Sequence, residues 1–341
     1  MNGQKFIGLQ QNGIGNPEEV VEIIELTIPD LDKDQVLVEL IASPINYMDI
    51  HGIIGVELEG FEMPSPEFPT LLGGEGIAKV IEIGSEVKNV QVGDNVSILY
   101  GSNPWRERFV LSAKNLNSLP KSHPLQLSML NVSPQTAYGM LTSILKLDKG
   151  DWIIQNAANS TVGCFVIGLA KWMGLKIINI VRREELVEQL KTLGADHVLV
   201  DAPDLVQKIM QLKNIGPIKL GLDAVGGNAT NTLVAALTPG GTIISYGFLG
   251  GQYMSLNIPF LVMKNIRVQG FYAGYWAQTT NLEDQITFKK ELIDLIRKDQ
   301  LKIPIEKTYP LRDYKEALTH ASKFGRKGKI LFTGPAYSEI K

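Results

Sequence analysis

Residues 152–163, WIIQNAANSTVG, join an apolar run to a short polar turn and the start of a helical pattern. That order is where an α/β protein holds a diphosphate, because the first amides of a helix lack internal partners and the helix dipole is positive there. The usual fingerprint is G-x-G-x-x-G. Here Ala157, Ser160 and Gly163 take the Gly-type positions of an A-x-x-G-x-x-G variant, and only Gly163 is glycine. Small Ala157 and Ser160 still let a phosphate approach the amides of Ser160, Thr161 and Val162, with Asn159 in the same turn. The alternative is an ordinary strand-to-helix corner, which every doubly wound sheet contains. After an apolar helix (Cys164 to Met173) and a second strand (Lys176 to Val181) stand Arg182 and Arg183. A site for the unphosphorylated dinucleotide places Asp or Glu about 20 residues beyond the glycines, whereas arginine accommodates a 2′-phosphate. The pair therefore predicts NADPH as cofactor; the competing reading is a solvated charged helix start, Arg182-Arg183-Glu184-Glu185.

The elements that must hold this turn follow from hydrophobic periodicity. Before residue 122 the chain has short apolar or alternating runs separated by Gly and Pro, among them VLVELIAS, GIAKVIEIG and DNVSILYG. These read as strands of an antiparallel barrel-like domain. From about Leu125 helix and strand alternate. Strands are expected at Trp152 to Asn156, Lys176 to Val181, His197 to Val200, Leu220 to Ala224, Thr242 to Tyr246 and Ile266 to Phe271. Helices fall between them, at about 161 to 173, 184 to 193, 204 to 213, 228 to 237 and 258 to 264. Six strands with crossover helices make a complete doubly wound parallel sheet. A helical stretch from Leu282 to Lys298 follows, and the final runs are strand-like again, so the chain re-enters its first domain. The expected division is 1–122 with 275–341, and 123–274.

Composition sets the class. The 341 residues are enough for two domains. A net charge of -3 and a pI of 5.9 offer no basic field for nucleic acid and no polybasic patch for a membrane. The first residues, MNGQKFIGLQ, lack the charged and apolar regions of a signal peptide, and no apolar run reaches spanning length, so the cytoplasm is the expected location. The single Cys164 rules out an internal disulfide and a multi-cysteine zinc site; following Gly163 on an apolar helix, it reads as a buried inert thiol.

Several further segments carry a resemblance. SPINYMDIHG at Ser43, LLGGEGIAKVIEIGSEVKNVQVGDNV at Leu71 and SPQTAYGML at Ser133 are similar to segments of the medium-chain dehydrogenase/reductase superfamily. QNAANSTVG at Gln155, NIVRREE, LKTLGADHV, GGTIISYG, VQGFYAGYW and the closing GRKGKIL resemble its zinc-independent branch of quinone oxidoreductases and mitochondrial-type 2-enoyl thioester reductases. The resemblance covers nearly the whole chain. It implies a six-stranded Rossmann sheet plus a GroES-like antiparallel β-barrel domain, and NADPH-dependent hydride transfer to a quinone or other conjugated carbonyl or activated alkene, with a 2-enoyl thioester of fatty-acid metabolism as the alternative acceptor.

Zinc-dependent relatives need a thiolate and an imidazole in the first domain. This chain offers Asn46 and Gly74 at those positions. His51 is the only histidine near this region and reads as a structural loop residue; His123, His197 and His320 read as surface residues. Without a metal, alcohol oxidation is hard, and reduction of an electron-poor acceptor is the easier chemistry. The enoyl reductases carry a tyrosine in a G-N-Y-G segment where an ungapped alignment gives Glu57, and the loop from Ile53 to Pro69 looks longer than theirs. A carboxylate replaces a phenol as donor only if its pKa is strongly raised. Tyr47, beside Asn46, is the candidate substitute, against a packing role beneath the loop.

The resemblance further implies that Thr136 lies near the nicotinamide ribose, against a helix-capping role, and that Tyr246 and Gly247 line the cofactor. Phe271, Tyr272 and Ala273 would flank the nicotinamide, and Trp276 would line the substrate pocket, against ordinary core packing. Lys329 would reach the cofactor from the first domain, against a surface role; Trp105-Arg106 read as barrel structure. The strand Ile266 to Phe271 would be an open sheet edge, so a homodimer is expected. A second class of function stays open: a redox-sensing or crystallin-like binder of NADPH with little turnover, motivated by the missing tyrosine and altered loop.

Overall fold

A computed structural model describes residues 5–61 and 66–338, and its contacts divide the chain into two compact units. The first takes in the chain up to Val132, then 292–299 and everything from Pro304 onward; the second holds Ser133–Glu291 and Gln300–Ile303. Both exchanges come later than the expected 122 and 274, for packing reasons. Asn131 donates its amide to Ser97 Oγ (2.8 Å) and to the Ile98 carbonyl (2.9 Å), which ties that stretch to the first unit. In the second unit, Tyr138 stacks on Phe288 with ring centroids 3.8 Å apart and meets Trp276 edge-on at 6.3 Å. These aromatics hold the helix Ala273–Thr279 and the start of Leu282–Arg297 against the helix Ser133–Thr142.

The first unit is built around the strand Gln35–Pro44, whose residues from Val36 onward are all buried. It pairs antiparallel with Gly76–Ile83, Arg108–Ser112 and Lys329–Thr333, and the last of these pairs parallel with Ile305–Pro310. Glu39, the one charge inside this apolar strand, faces Arg108 across the ladder and accepts from its guanidinium at 2.7 Å. A buried carboxylate is tolerable only when so paired. A separate sheet joins Lys5–Gln11 to Val21–Thr27 and to Thr70–Leu71. The expected barrel is therefore corrected. Among the described residues the unit has two sheets linked by an isolated bridge from Gly8 to Arg106, not a closed cylinder, and the C-terminal pair is parallel rather than antiparallel. The join is tight: a Cβ on Gly8 would stand 2.8 Å from Leu26 and 2.9 Å from Arg106. Trp105 is fully buried, donates its indole N–H to Ser43 Oγ at 3.1 Å and packs edge-on to Phe332. One apolar core runs from Ile7 and Leu9 through Val38 and Phe109 to Tyr314, Ile330 and Phe332, so the C-terminal segment completes it.

The second unit contains a six-stranded parallel sheet in the spatial order His197–Val200, Lys176–Val181, Trp152–Gln155, Ile218–Asp223, Thr242–Ser245, Arg267–Gly270. Numbered along the chain this is 3-2-1-4-5-6, the doubly wound order whose switch point lies at the first strand. The helix Thr161–Met173 follows that strand and buries seven residues, Gly163 to Ala170 without Gly168. Gly168 lets Leu301 pack close, since a Cβ there would come within 3.0 Å of its side chain. Cys164 lies on this helix, 4% exposed, and burial pushes its thiol up to about 12, which keeps it protonated and inert. No helix among the described residues is long and apolar enough to cross a membrane.

Candidate active site

The turn at the switch point is shaped for a close backbone approach. Ala157 sits at φ +46, the left-handed region where glycine is the usual choice. Ser160 caps the helix by accepting from the Gly163 N–H at 3.1 Å, and its own N–H reaches the Ala157 carbonyl at 2.9 Å. A Cβ on Gly163 would stand 2.6 Å from the Ala158 carbonyl oxygen, so glycine is required there. Asn159, Ser160, Thr161 and Val162 are all half-buried and line the mouth of the turn. The Ala158 N–H bonds to the Ile180 carbonyl at 3.3 Å, which anchors the turn two residues before Arg182. Arg182 is exposed, while Arg183 bonds Glu185 at 2.6 Å. Both arginines thus follow the strand end beside the helix N-terminus, the position expected of them.

Behind the turn lies a polar framework. Asn156 donates to Asp223 Oδ1 at 2.6 Å and accepts the Ala224 N–H at 2.8 Å; Asp223 also takes N–H bonds from Val225 and Gly226 and the Thr230 hydroxyl. One strand further on, the Tyr246 hydroxyl is buried without a hydrogen-bond partner among the described residues. Burial and the Asp223 charge push its pKa up; the Ser160 hydroxyl, near enough to pull the other way, falls short of a good bond. An orphan hydroxyl beside the cap of this helix is what a group bound at the turn would satisfy.

In the first unit the helix Tyr47–Ile54 begins at Asn46, and three ionisable groups converge there. Asp49 Oδ2 accepts the Asn46 N–H at 2.7 Å. The Asn46 amide donates to Glu75 Oε1 at 3.1 Å, and its oxygen accepts from Lys329 Nζ at 2.6 Å. Glu75 Oε2 accepts the Asn131 N–H at 2.8 Å. Burial dominates the titration of all three. It pushes Asp49 up to about 7, with Glu75 adding to the shift and the Asn46 N–H and Lys329 opposing it. It raises Glu75 and pushes Lys329 down to about 8, against the pull of both carboxylates. Lys329 is 7% exposed, so it is not a surface lysine, and its amine is committed to Asn46.

Sequence reading passed over Asp49 and Glu75. The available signal was the N-x-x-D spacing of Asn46 and Asp49, which places a carboxylate where it can reach back to a helix start. Glu75 stands in the LLGGEGIAKV segment that carries the resemblance, but its partners come from residues 29 positions before and 56 after it.

The other expected site residues divide by exposure. Tyr47 is 43% exposed, lies against the His51 ring at 3.7 Å between centroids, and has its pKa raised by burial; it is not packed beneath the loop. Trp276 is 6% exposed and packs against Tyr138, as a core residue does. Tyr272, at 75%, is open to solvent; Phe271 and Ala273 are half-buried, and a Cβ on Gly139 would strike the Phe271 ring. Thr136 is half-buried inside the helix Ser133–Thr142 rather than at its cap. Glu57 is exposed, beyond the helix that Gly55 ends at φ +69, and residues 62–65 of the divergent loop lie outside the described residues. His320 is no free surface residue: its ring bridges Tyr309 and Glu306 at 2.9 and 3.0 Å.

A doubly wound sheet with a nucleotide turn, joined to a unit of this strand order, defines a medium-chain dehydrogenase/reductase. Comparison with known proteins agrees. Residues 32–110 match the alcohol dehydrogenase GroES-like domain and residues 161–298 the zinc-binding dehydrogenase family. The human mitochondrial enoyl-[acyl-carrier-protein] reductase is 36% identical over 317 residues, 91% of this chain and 83% of that protein. A quinone oxidoreductase from Pseudomonas syringae pv. Tomato DC3000 is 26% identical with a TM-score of 0.80, covering 96% of this chain and 99% of that one. A mutant enoyl thioester reductase from Candida tropicalis, 24% identical with a TM-score of 0.84 over 97% and 100% of the two chains, shares the fold. The chain belongs to the medium-chain dehydrogenase/reductase superfamily and is an oxidoreductase of it.

Zinc, which one matching family is described as binding, does not fit these residues. The Asn46 amide is already spent on Glu75 and Lys329, Gly74 has no ligand atom, and the ammonium of Lys329 occupies the cluster as its cation. No group of three or more His, Cys, Asp or Glu side chains among the described residues is placed to hold a metal.

Proposed function

We propose that the protein is an NADPH-dependent reductase of conjugated carbonyl compounds whose substrates are 2-enoyl thioesters. The observation that carries this reading is the Asn46 amide fixed between Glu75 and Lys329, at the position where a metal-using relative needs a ligand. A reductase with no Lewis acid must act on an acceptor that is already electron-poor. Similarity to enoyl reductases over 91% of the chain supports the thioester as that acceptor.

NADPH bound in the second unit supplies the hydride. Its diphosphate is assigned to the amides of Ser160, Thr161 and Val162, with Asn159 and Gly163 shaping the turn, and its 2′-phosphate to Arg182 and Arg183. Thr136, Tyr246, Phe271, Tyr272 and Ala273 are assigned to the ribose and nicotinamide. Trp276, which packs edge-on against Tyr138, is assigned to the substrate pocket. In the first unit Lys329 donates to the Asn46 oxygen and is assigned to the cofactor, and Asn46 and the exposed Tyr47 are assigned to the acceptor.

Quinone or simple enone reduction is the second reading. The exposed carboxylate of Glu57, where the enoyl reductases have a tyrosine, favours it, as does the similarity to a quinone oxidoreductase. The reading also includes a homodimer: the edge strand Arg267–Gly270 is exposed at every residue, and Ile258, Val262, Met263 and Val268 are exposed beside it. Cytoplasmic residence is part of the reading as well; the human relative is named mitochondrial, so cell fractionation decides.

NADPH and NADH oxidation, followed side by side with a medium-chain 2-enoyl-CoA and a small quinone, tests the activity. Preferential NADPH turnover with the thioester is expected. Turnover with the quinone alone selects the second reading, and saturable binding without turnover selects a low-turnover NADPH-binding protein. Arg182→Ala is expected to weaken NADPH by about 10- to 100-fold, the loss of one charge-assisted contact, and to leave NADH unchanged.

A further inference from the structure

The chain spends one of its two phosphate-facing arginines on a carboxylate of its own. The strand Lys176–Val181 ends beside the nucleotide turn, because the Ala158 N–H bonds to the Ile180 carbonyl, and Arg182 and Arg183 leave from that end. Arg183 is still extended, at φ -138 and ψ 134, and Glu184–Leu186 then form a 3-10 turn closed by the Leu186 N–H on the Arg183 carbonyl at 3.2 Å. Leu186, 1% exposed, anchors that turn in the core. Held between the strand end and this anchor, Glu185 comes back over Arg183 and accepts from its Nη1 at 2.6 Å. The pair stands at the rim of the unit and is not sealed within it: the Arg183 side chain is 31% exposed and that of Glu185 51%. Charge across Arg182-Arg183-Glu184-Glu185 cancels. A site that draws in a 2′-phosphate, close to a dianion, gains most from guanidinium groups that no nearby carboxylate has already engaged.

We propose that Glu185 is a specificity-determining residue for the cofactor: an internal anion that occupies Arg183 in the empty site and that the 2′-phosphate of NADPH must displace. The inference rests on the NADPH reading and on its assignment of the 2′-phosphate to Arg182 and Arg183. The exchange trades one charge-assisted contact for another. The Arg183 guanidinium gives up a carboxylate and takes phosphate oxygens, and Glu185, already half in water, is solvated again. NADH brings no anion to this point and leaves the pair closed. Glu185 therefore weakens NADPH binding without changing NADH binding, and it keeps the preference for NADPH smaller than two uncompensated arginines would make it. An exposed pair of this kind shifts an equilibrium by about two- to fivefold, enough to set a cofactor ratio and too little to abolish it.

Glu185→Gln tests the role, because it removes the charge, keeps the shape and lies in an exposed turn. Adenosine 2′,5′-bisphosphate and adenosine 5′-monophosphate serve as probes on the full chain; they differ in the 2′-phosphate alone and carry no nicotinamide. By isothermal titration calorimetry the variant is expected to bind the bisphosphate about two- to fivefold tighter than the wild type and the monophosphate unchanged. NADPH and NADH, followed by fluorescence, should repeat that pattern. Arg183→Ala supplies the reference. It should weaken the bisphosphate, and in its background Glu185→Gln should lose its gain, since the carboxylate no longer has a guanidinium to occupy. An unchanged or weaker bisphosphate affinity in Glu185→Gln, a matching gain for the monophosphate, or a gain of the same size without Arg183 overturns the inference and leaves the NADPH site standing. If Arg182→Ala and Arg183→Ala both bind the bisphosphate as the wild type does, the 2′-phosphate assignment falls, and this inference falls with it.

Discussion

The same methyl group should have opposite effects at two positions of the nucleotide turn. Ala157 holds its side chain at φ +46, where an L-residue costs about 1–2 kcal/mol relative to the right-handed region. Ala157→Gly removes that cost and adds about 0.4–1 kcal/mol of unfolded-chain entropy. The net expectation is a stabilisation of about 0.5–1 kcal/mol, whereas Ala→Gly inside a helix loses about that much. Gly163→Ala goes the other way. Its Cβ would meet the Ala158 carbonyl oxygen at 2.6 Å, with the Ala158 carbonyl carbon and Cα both at 2.8 Å, so backbone must move and overpacking of about 1–3 kcal/mol is expected. That movement reaches Ser160, which caps Gly163, and with it the amides assigned to the diphosphate. Urea unfolding followed by circular dichroism reads the stabilities, and NADPH fluorescence reads the affinity. Ala157→Gly should raise the urea midpoint and keep NADPH binding; Gly163→Ala should lower the midpoint and weaken binding by about tenfold, equivalent to 1.4 kcal/mol of lost phosphate contact. A destabilised Ala157→Gly, or a Gly163→Ala that binds NADPH as the wild type does, would refute this account of the turn.

Three other outcomes are expected. Tyr246→Phe removes a buried hydroxyl that has no hydrogen-bond partner among the described residues, so the cofactor-free protein should gain up to about 1–3 kcal/mol in urea unfolding, while NADPH affinity falls if that hydroxyl serves the cofactor. Lys329→Met leaves Asp49 and Glu75 without their cation and the Asn46 oxygen without its donor, and should cost about 3–5 kcal/mol by the same measurement. Stability should fall with rising pH from about 4 to about 7, because folded Asp49 and Glu75 hold protons that the unfolded chain has released, and should recover from about 8 to 10.5, where the unfolded chain binds the proton that folded Lys329 has lost. Unfolding midpoints across that range check the sign, and Asp49→Asn should flatten the acid limb.

The cofactor unit was legible because its information is local. Each parallel strand is a short apolar run, each helix announces itself by spacing, and the fingerprint, the strand Lys176–Val181 and Arg182-Arg183 follow in one stretch. The shortfalls are at boundaries: the helix expected at 204 to 213 spans only Leu205–Met210, and the one at 184 to 193 opens with a 3-10 turn, Glu184–Leu186. In the first unit the strands were readable one by one, but closure was not. Whether Lys5–Gln11 continues the sheet of Gln35–Pro44 depends on pairings between residues about a hundred positions apart, such as Gly8 with Arg106. No periodicity records such a pairing.

The polar cluster was opaque for a related reason. Asn46, Asp49, Glu75 and Lys329 come from three separate segments, and each looks ordinary in its own. Only the fold places the Lys329 ammonium on the Asn46 oxygen, 283 residues away, and encloses two carboxylates beside it. Two carboxylates and one ammonium in a buried site cannot all keep their charges cheaply, so one carboxylate must hold its proton near neutral pH. Glu75 accepts the Asn131 N–H and the Asn46 amide, contacts that favour its anion. Asp49 accepts one backbone N–H and lies close against Gly74. Burial thus raises both carboxylates while the Lys329 charge pulls both down, and the three groups titrate as one cluster.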